Sequence, residues 1–198
     1  MNYLAHAYLS FDNPHLLVGN MVADFVRGKQ MYDFREEVQE GIRLHRQIDE
    51  YTDHHPVALE IKKIFDSSAG RYNASFLDVS FDHFLATDQS TEPAQGWKNF
   101  AKECYEQIDS QINDLPKDFR RFFSYMKKEN WLYNYRYKWM IEKSFTSLTQ
   151  RAKYLENNVD VYSDFENNYD LIQDGYNKFF PQLKKFAKEY IDKNIHIK

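Results

Sequence analysis

The sequence predicts an all-α, single-domain helical bundle over residues 1–198, and three observations carry that prediction. Apolar residues recur at intervals of three and four along nearly the whole chain, whereas alternating strand patterns never persist for a useful length. The 198 residues are enough for one sizeable core and short for two. Aromatic residues make up 17% of the chain, so Phe and Tyr supply buried surface despite a mean hydropathy of −0.76. That content argues against disorder.

In chain order, a first helix is expected from about Tyr3 to Phe11, ended by Asp12-Asn13-Pro14, where a turn reopens into a helix reaching about Gly28. Glu36 to Asp53 places Val38, Ile42 and Ile48 on one side and stops at His54-His55-Pro56, because proline disfavours helical geometry in the residue before it. A helix from Pro56 to about Ser67 precedes a polar loop through Asn73. Leu77, Phe81, Phe84 and Leu85 then mark one inward stripe. Pro93 and Gly96 identify a loop over residues 88–96, followed by helices over Trp97–Asn113, Asp118 to about Lys138 and a segment through Tyr154. In the carboxy-terminal helix, Phe165, Tyr169, Ile172, Tyr176, Phe179, Leu183 and Phe186 step by three or four, with a kink expected at Pro181.

Composition excludes several function classes. A net charge of −4 and a pI near 6.0 argue against general nucleic-acid affinity, which ordinarily rests on a basic excess. No stretch approaches the roughly 20 apolar residues of a membrane span. The lone Cys104 rules out an internal disulfide or a paired-cysteine metal site, so a reducing compartment, the cytoplasm, is expected. The sequence does not fix an oligomeric state. A Gly-x-Ser-x-Gly elbow, a Gly-rich phosphate loop and a His-Glu-x-x-His motif are all missing from the sequence.

What remains is a set of histidines and aspartates. His6, Asp24, His45, Asp49 and Asp53 precede an Asp82-His83 dyad. His45 and Asp49 are four residues apart on one helix, which turns about 100° per residue, so they face nearly the same way and can share a metal ion. Asp49 and Asp53 read equally well as a solvated face pairing with Arg46, and His6, among Leu4, Ala5, Ala7 and Leu9, as a satisfied core histidine. His15 fits a helix start, His54-His55 a helix end and His196 a tail. A mixed Asp and His site suits Mn²⁺, Mg²⁺, Fe²⁺ or Zn²⁺. Metal coordination can lower the pKa of water from about 15.7 to about 7, which makes phosphoester hydrolysis the natural chemistry, with Arg27, Arg46 or Arg136 to offset phosphoryl charge.

Four motifs carry a resemblance. Asn2-x-Leu4-Ala5-His6, Gly19-Asn20-x-x-x-Asp24-Phe25-x-x-Gly28, Gly41-Ile42-x-x-His45-Arg46-x-Ile48-Asp49-x-x-Thr52-Asp53 and Asp82-His83-Phe84-Leu85 resemble the acyl carrier protein phosphodiesterases, also called acyl carrier protein hydrolyases. The resemblance implies a hydrolase that removes the 4′-phosphopantetheine arm from holo acyl carrier protein, on an all-helical fold placed with divergent HD-type metal phosphohydrolases and typically using Mn²⁺. It implies a metal set drawn from His6, Asp24, His45, Asp82 and His83, with Asp49, Arg27 and Arg46 completing or serving the catalytic site. His45-Arg46 departs from the HD pattern, and the pair at 82 and 83 runs Asp then His. The same metal site on a nucleotide or other small phosphoester, and a noncatalytic helical interaction module, are the competing readings. An acidic carrier needs a basic surface, for which the candidates are Lys62-Lys63 with Arg71, Arg120-Arg121 with Lys127-Lys128, and the lysines from Lys184 to Lys198.

Overall fold

The computed structural model describes residues 1–156 and 159–195, and every regular element in them is helical. His196 and Lys198 lie outside the described residues. Twelve α-helices follow one another: α1 (Tyr3–Tyr8), α2 (Pro14–Val22), α3 (Glu36–His54), α4 (Pro56–Ile61), α5 (Asp66–Ala69), α6 (Asn73–Thr87), α7 (Gly96–Asp109), α8 (Lys117–Lys128), α9 (Trp131–Asn134), α10 (Lys138–Arg151), α11 (Val161–Asn167) and α12 (Tyr169–Asn194). One aromatic-rich core joins them, with Phe65, Phe76, Phe81, Phe119, Phe165 and Phe179 fully enclosed.

Most expected helices are present, and the differences lie at their ends. The helix starting at Pro14, capped by Asn13 accepting from the His15 and Leu16 N–H groups, stops at Val22 rather than Gly28. Short 3₁₀ turns over Ala23–Phe25 and Gly28–Asp33 replace its expected last turns, so Asp24 projects from a turn. The predicted Asp118–Lys138 helix divides at Asn130, whose left-handed φ of 49° lets the chain reverse between α8 and α9. The carboxy-terminal stripe divides at Asn168, and α12 then runs on through Pro181.

One packing contact decides where the site forms. Gly19 on α2 and Gly41 on α3 meet with no side chain between them; a methyl group on Gly41 would come within 2.5 Å of the Leu16 carbonyl oxygen and 2.8 Å of Gly19 Cα. This approach brings Asn20, next to Gly19, beneath His45, one turn beyond Gly41. No helix among the described residues is long and apolar enough to cross a membrane.

Candidate active site

α1, α2 and α3 converge to place His6, Asn20, His45 and Asp49 together. His6 and His45 stack, with ring centroids 4.0 Å apart and planes 15° from parallel. Asn20 anchors both. Its side-chain Oδ1 accepts from His6 Nδ1 at 2.8 Å, and its backbone oxygen accepts from His45 Nδ1 at 2.7 Å. The amide orientation is fixed because Asn20 Nδ2 donates to the His6 carbonyl at 2.8 Å and to Ser10 Oγ at 3.2 Å. Both Nδ1 atoms therefore carry hydrogen, and both Nε2 atoms turn toward the carboxylates.

His6 Nε2 lies 3.2 Å from Asp49 Oδ1, and His45 Nε2 lies 3.0 Å from Asp49 Oδ2 and 3.2 Å from Asp24 Oδ1. The i, i+4 relation of His45 and Asp49 on α3 holds as the spacing predicts. His6, His45 and Asp49 each offer a ligand atom, and these atoms lie within 4.8 Å of one another. Asp24 faces solvent most, with 54% of its side chain accessible in a concave wall.

The charges are mutually dependent. Burial works to lower His45, but the hydrogen bonds and charges of Asp24 and Asp49 outweigh it and raise the imidazole to about 9. Burial and the neighbouring His45 charge lower His6, because two stacked imidazoles resist carrying charge together. Burial tends to raise Asp49, yet the Met1 ammonium and the two imidazoles hold it well below the usual carboxylate range. The Met1 ammonium stands 3.3 Å from Asp49 and 3.2 Å from Asp78, and those carboxylates overcome its burial and raise it to about 11. Tyr3 donates to Asp24 Oδ2 at 3.5 Å; burial and Asp24 push its hydroxyl upward while the Arg151 charge opposes them.

Asp82 and His83 do not join this cluster, which corrects their assignment as ligands. Asp82 is fully buried and accepts the Leu4 N–H at 2.7 Å and the Ala5 N–H at 3.1 Å, capping the first turn of α1 from another helix. Asn2, at the position where a local cap would stand, makes no such bond. Asp82 thus positions His6 instead of binding beside it. His83 Nδ1 donates to the Tyr135 carbonyl at 2.8 Å and Nε2 accepts from the Tyr169 hydroxyl at 2.8 Å, so both ring nitrogens are engaged in the core. The cause is angular, since adjacent residues point about 100° apart around α6 and neither points at α3.

The arginines also differ from expectation. Arg46 turns its guanidinium to Met31 Sδ at 3.8 Å, Arg136 lies over the Tyr133 ring at 5.3 Å, and Arg27 is exposed; none lines the cavity beside the cluster. That cavity, of about 830 Å³, runs from Asp24 and Asp49 between α6, α8 and α10, and its cations are the Met1 ammonium, Lys143 and Arg151. Nothing in the sequence marks Arg151 for this role, because only the fold brings the end of α10 to the start of α1. Asp53, His54 and His55 are solvent-facing or half-buried at the end of α3.

Comparison with known proteins agrees with the motifs. The family profile described as acyl carrier protein phosphodiesterase matches residues 1–183. The chain belongs to that family. It is 31% identical over 189 residues to the acyl carrier protein phosphodiesterase of Enterobacter sp. (strain 638), spanning 95% of this chain and 98% of that one. It is 32% identical over 189 residues to the protein so named in Klebsiella pneumoniae subsp. pneumoniae, with the same coverage. The Escherichia coli O139:H28 protein is 33% identical over 184 residues, 92% of this chain and 95% of its own. No solved structure matches the chain significantly.

Proposed function

We propose that this acyl carrier protein phosphodiesterase family member hydrolyses the phosphodiester joining 4′-phosphopantetheine to the serine of holo acyl carrier protein, releasing apo carrier and the free arm. The observation that carries the reading is the convergence of two imidazole Nε2 atoms and an Asp49 carboxylate at the end of a cavity large enough for a substrate arm.

The donor set fits a divalent cation. Both histidines have Nδ1 tied to carbonyl oxygens, the arrangement that frees Nε2 for a metal and fixes the ring orientation. His6, His45 and Asp49 would hold the ion; mixed nitrogen and oxygen donors suit Mn²⁺, Mg²⁺, Fe²⁺ or Zn²⁺, and it is the family resemblance that makes Mn²⁺ the expected metal. When bound, it supplies Lewis acidity at a phosphoryl oxygen and acidifies water. Asp24, ionised and facing the cavity, accepts the proton of the attacking water at Oδ2. The new bond runs from water oxygen to phosphorus, the bond from phosphorus to serine oxygen breaks with its electron pair going to that oxygen, and the serine oxygen takes a proton from solvent while Asp24 returns the one it accepted.

Holo carrier protein incubated with the enzyme and Mn²⁺ should lose the mass of the phosphopantetheine arm, and a chelator should prevent the loss. A carrier of unchanged mass, with nucleotides or small phosphoesters cleaved in the same solution, would transfer the site to the competing phosphohydrolase reading. The lone Cys104 is buried and unpaired, in keeping with the cytosol as the place of action.

A further inference from the structure

The cavity is far larger than a phosphodiester and a metal ion require, and its long wall is one face of α10. Met140, Ser144, Ser147 and Arg151 step by three or four residues along that face, with Leu148 next to Ser147. From Met140 to Arg151 the helix rises about 16 Å, at about 1.5 Å per residue. An extended chain of four or five residues, at about 3.5 Å each, spans the same length. Apolar surface from Phe76, Phe122 and Trp131 stands among these polar groups.

The charges along the cavity are unequal in their freedom. Lys143 is spent on Glu129, 2.8 Å away, and the Met1 ammonium on Asp49 and Asp78. Arg151 is held by one bond, its Nε donating to the Ser147 carbonyl at 3.1 Å, and among the described residues it has no carboxylate partner. That bond leaves both terminal nitrogens of the guanidinium to serve an anion, in the planar fork that suits two phosphoryl oxygens.

We propose that the cavity seats the pantetheine arm of the substrate along the α10 face, with Arg151 gripping its phosphate next to Asp24 and Ser144 and Ser147 meeting its amides. The inference rests on the function proposed above and assigns recognition to the arm as well as to the carrier. It also gives Arg151 the phosphate role that sequence spacing suggested for Arg27 and Arg46.

The test is calorimetric titration with 4′-phosphopantetheine and with pantetheine, which lacks the phosphate, in the presence of EDTA so that no metal supplies phosphate affinity. The wild-type protein should bind 4′-phosphopantetheine the more tightly. Arg151→Met should weaken that ligand about tenfold or more while shifting pantetheine little, and Arg151→Lys should recover part of the loss. Ser147→Leu, which retains the backbone acceptor for Arg151, should weaken both ligands together. Wild-type protein that binds neither ligand, or Arg151→Met and Ser147→Leu proteins that bind both as wild type does, would overturn the proposal. Circular dichroism of each variant separates lost binding from lost folding, and Arg151→Lys keeps the question answerable if Arg151→Met does not fold. Unchanged affinities in an enzyme that strips holo carrier protein would remove this inference alone; failure to strip the carrier would remove the functional reading beneath it.

Discussion

His6 and His45 come from helices nearly forty residues apart, yet Asn20 fixes both rings, one through its side-chain oxygen and the other through its backbone oxygen. The two anchors are separable by mutation. Removing the side chain leaves His45 tied and frees only His6.

Asn20→Ala should therefore lower Mn²⁺ affinity about 10–100-fold, the usual effect of losing a group that orients a ligating histidine. It should also destabilise the fold by about 1–3 kcal/mol, because the buried His6 Nδ1 loses its acceptor, while the His6 carbonyl keeps the Ser10 hydroxyl at 2.9 Å. Calorimetric metal titration and urea unfolding measure the two effects independently. Wild-type metal affinity in this variant would mean that His6 contributes nothing to holding the ion.

Mutation of Asp82 and of His45 should separate a structural carboxylate from the imidazole proposed to hold the metal. Asp82→Ala strips two buried N–H groups at the start of α1 of their acceptor and should cost about 2–4 kcal/mol in a denaturant melt. Asp82→Asn, which keeps one acceptor oxygen, should cost less. His45→Ala should instead abolish holo carrier cleavage while the protein still melts cooperatively. Equal stability of Asp82→Ala and wild type would show that α1 does not depend on this cap.

The difference between those two residues also marks what the sequence makes legible. Helical periodicity reveals α3 and places His45 over Asp49, since both lie on one element of known pitch. Asp24 and His6 are recoverable as candidates because each stands in a motif with a fixed offset from a turn or a packed helix. Asp82 and His83 look like ligands by residue type, but which way they point depends on how α6 rotates against α1 and α9, a tertiary choice the local pattern does not encode. Arg151 is invisible for the same reason: its neighbours in the cavity, Tyr3 and Asp24, are more than a hundred residues away. The break at Val22 escapes periodicity because the apolar residues continue through Val26 while the backbone tightens into 3₁₀ turns.

Among the three basic clusters, carrier docking is expected at α8. Arg121, Tyr125 and Lys128 share one exposed stripe of α8, and Tyr125 and Phe122 from the same helix line the cavity. Every cluster has an ion-paired member, Lys63 with Glu60, Lys127 with Asp109 and Lys188 with Asp192, so it is adjacency to the cavity that favours α8. Arg121→Glu combined with Lys128→Glu should lower kcat/KM for holo carrier about tenfold at low ionic strength and flatten its salt dependence. Carrier cleavage that keeps wild-type efficiency and wild-type salt response would place docking elsewhere.

His83 sets a pH limit on stability that is independent of catalysis. Burial, joined by the Lys138 charge, lowers its pKa below 6.5 in the fold, and the bonds agree, since the neutral ring donates from Nδ1 to Tyr135 and accepts at Nε2 from Tyr169. A second proton would remove that acceptor. In the unfolded chain the ring takes up a proton near pH 6.5, so as pH falls below that value the unfolded state binds the proton that the folded state refuses, and stability declines until the folded ring also protonates. One such group contributes a slope of at most about 1.4 kcal/mol per pH unit. His6, lowered by burial and by His45, adds to the slope in the same direction. His45, raised to about 9, and Asp82, raised to about 8, act in the opposite sense in both proteins, so the readable quantity in urea melts between pH 7.5 and 5 is the difference: wild type should lose stability relative to His83→Gln, which has no titrating ring, as pH falls. Parallel pH profiles for the two proteins would mean that the ring is not held neutral in the fold.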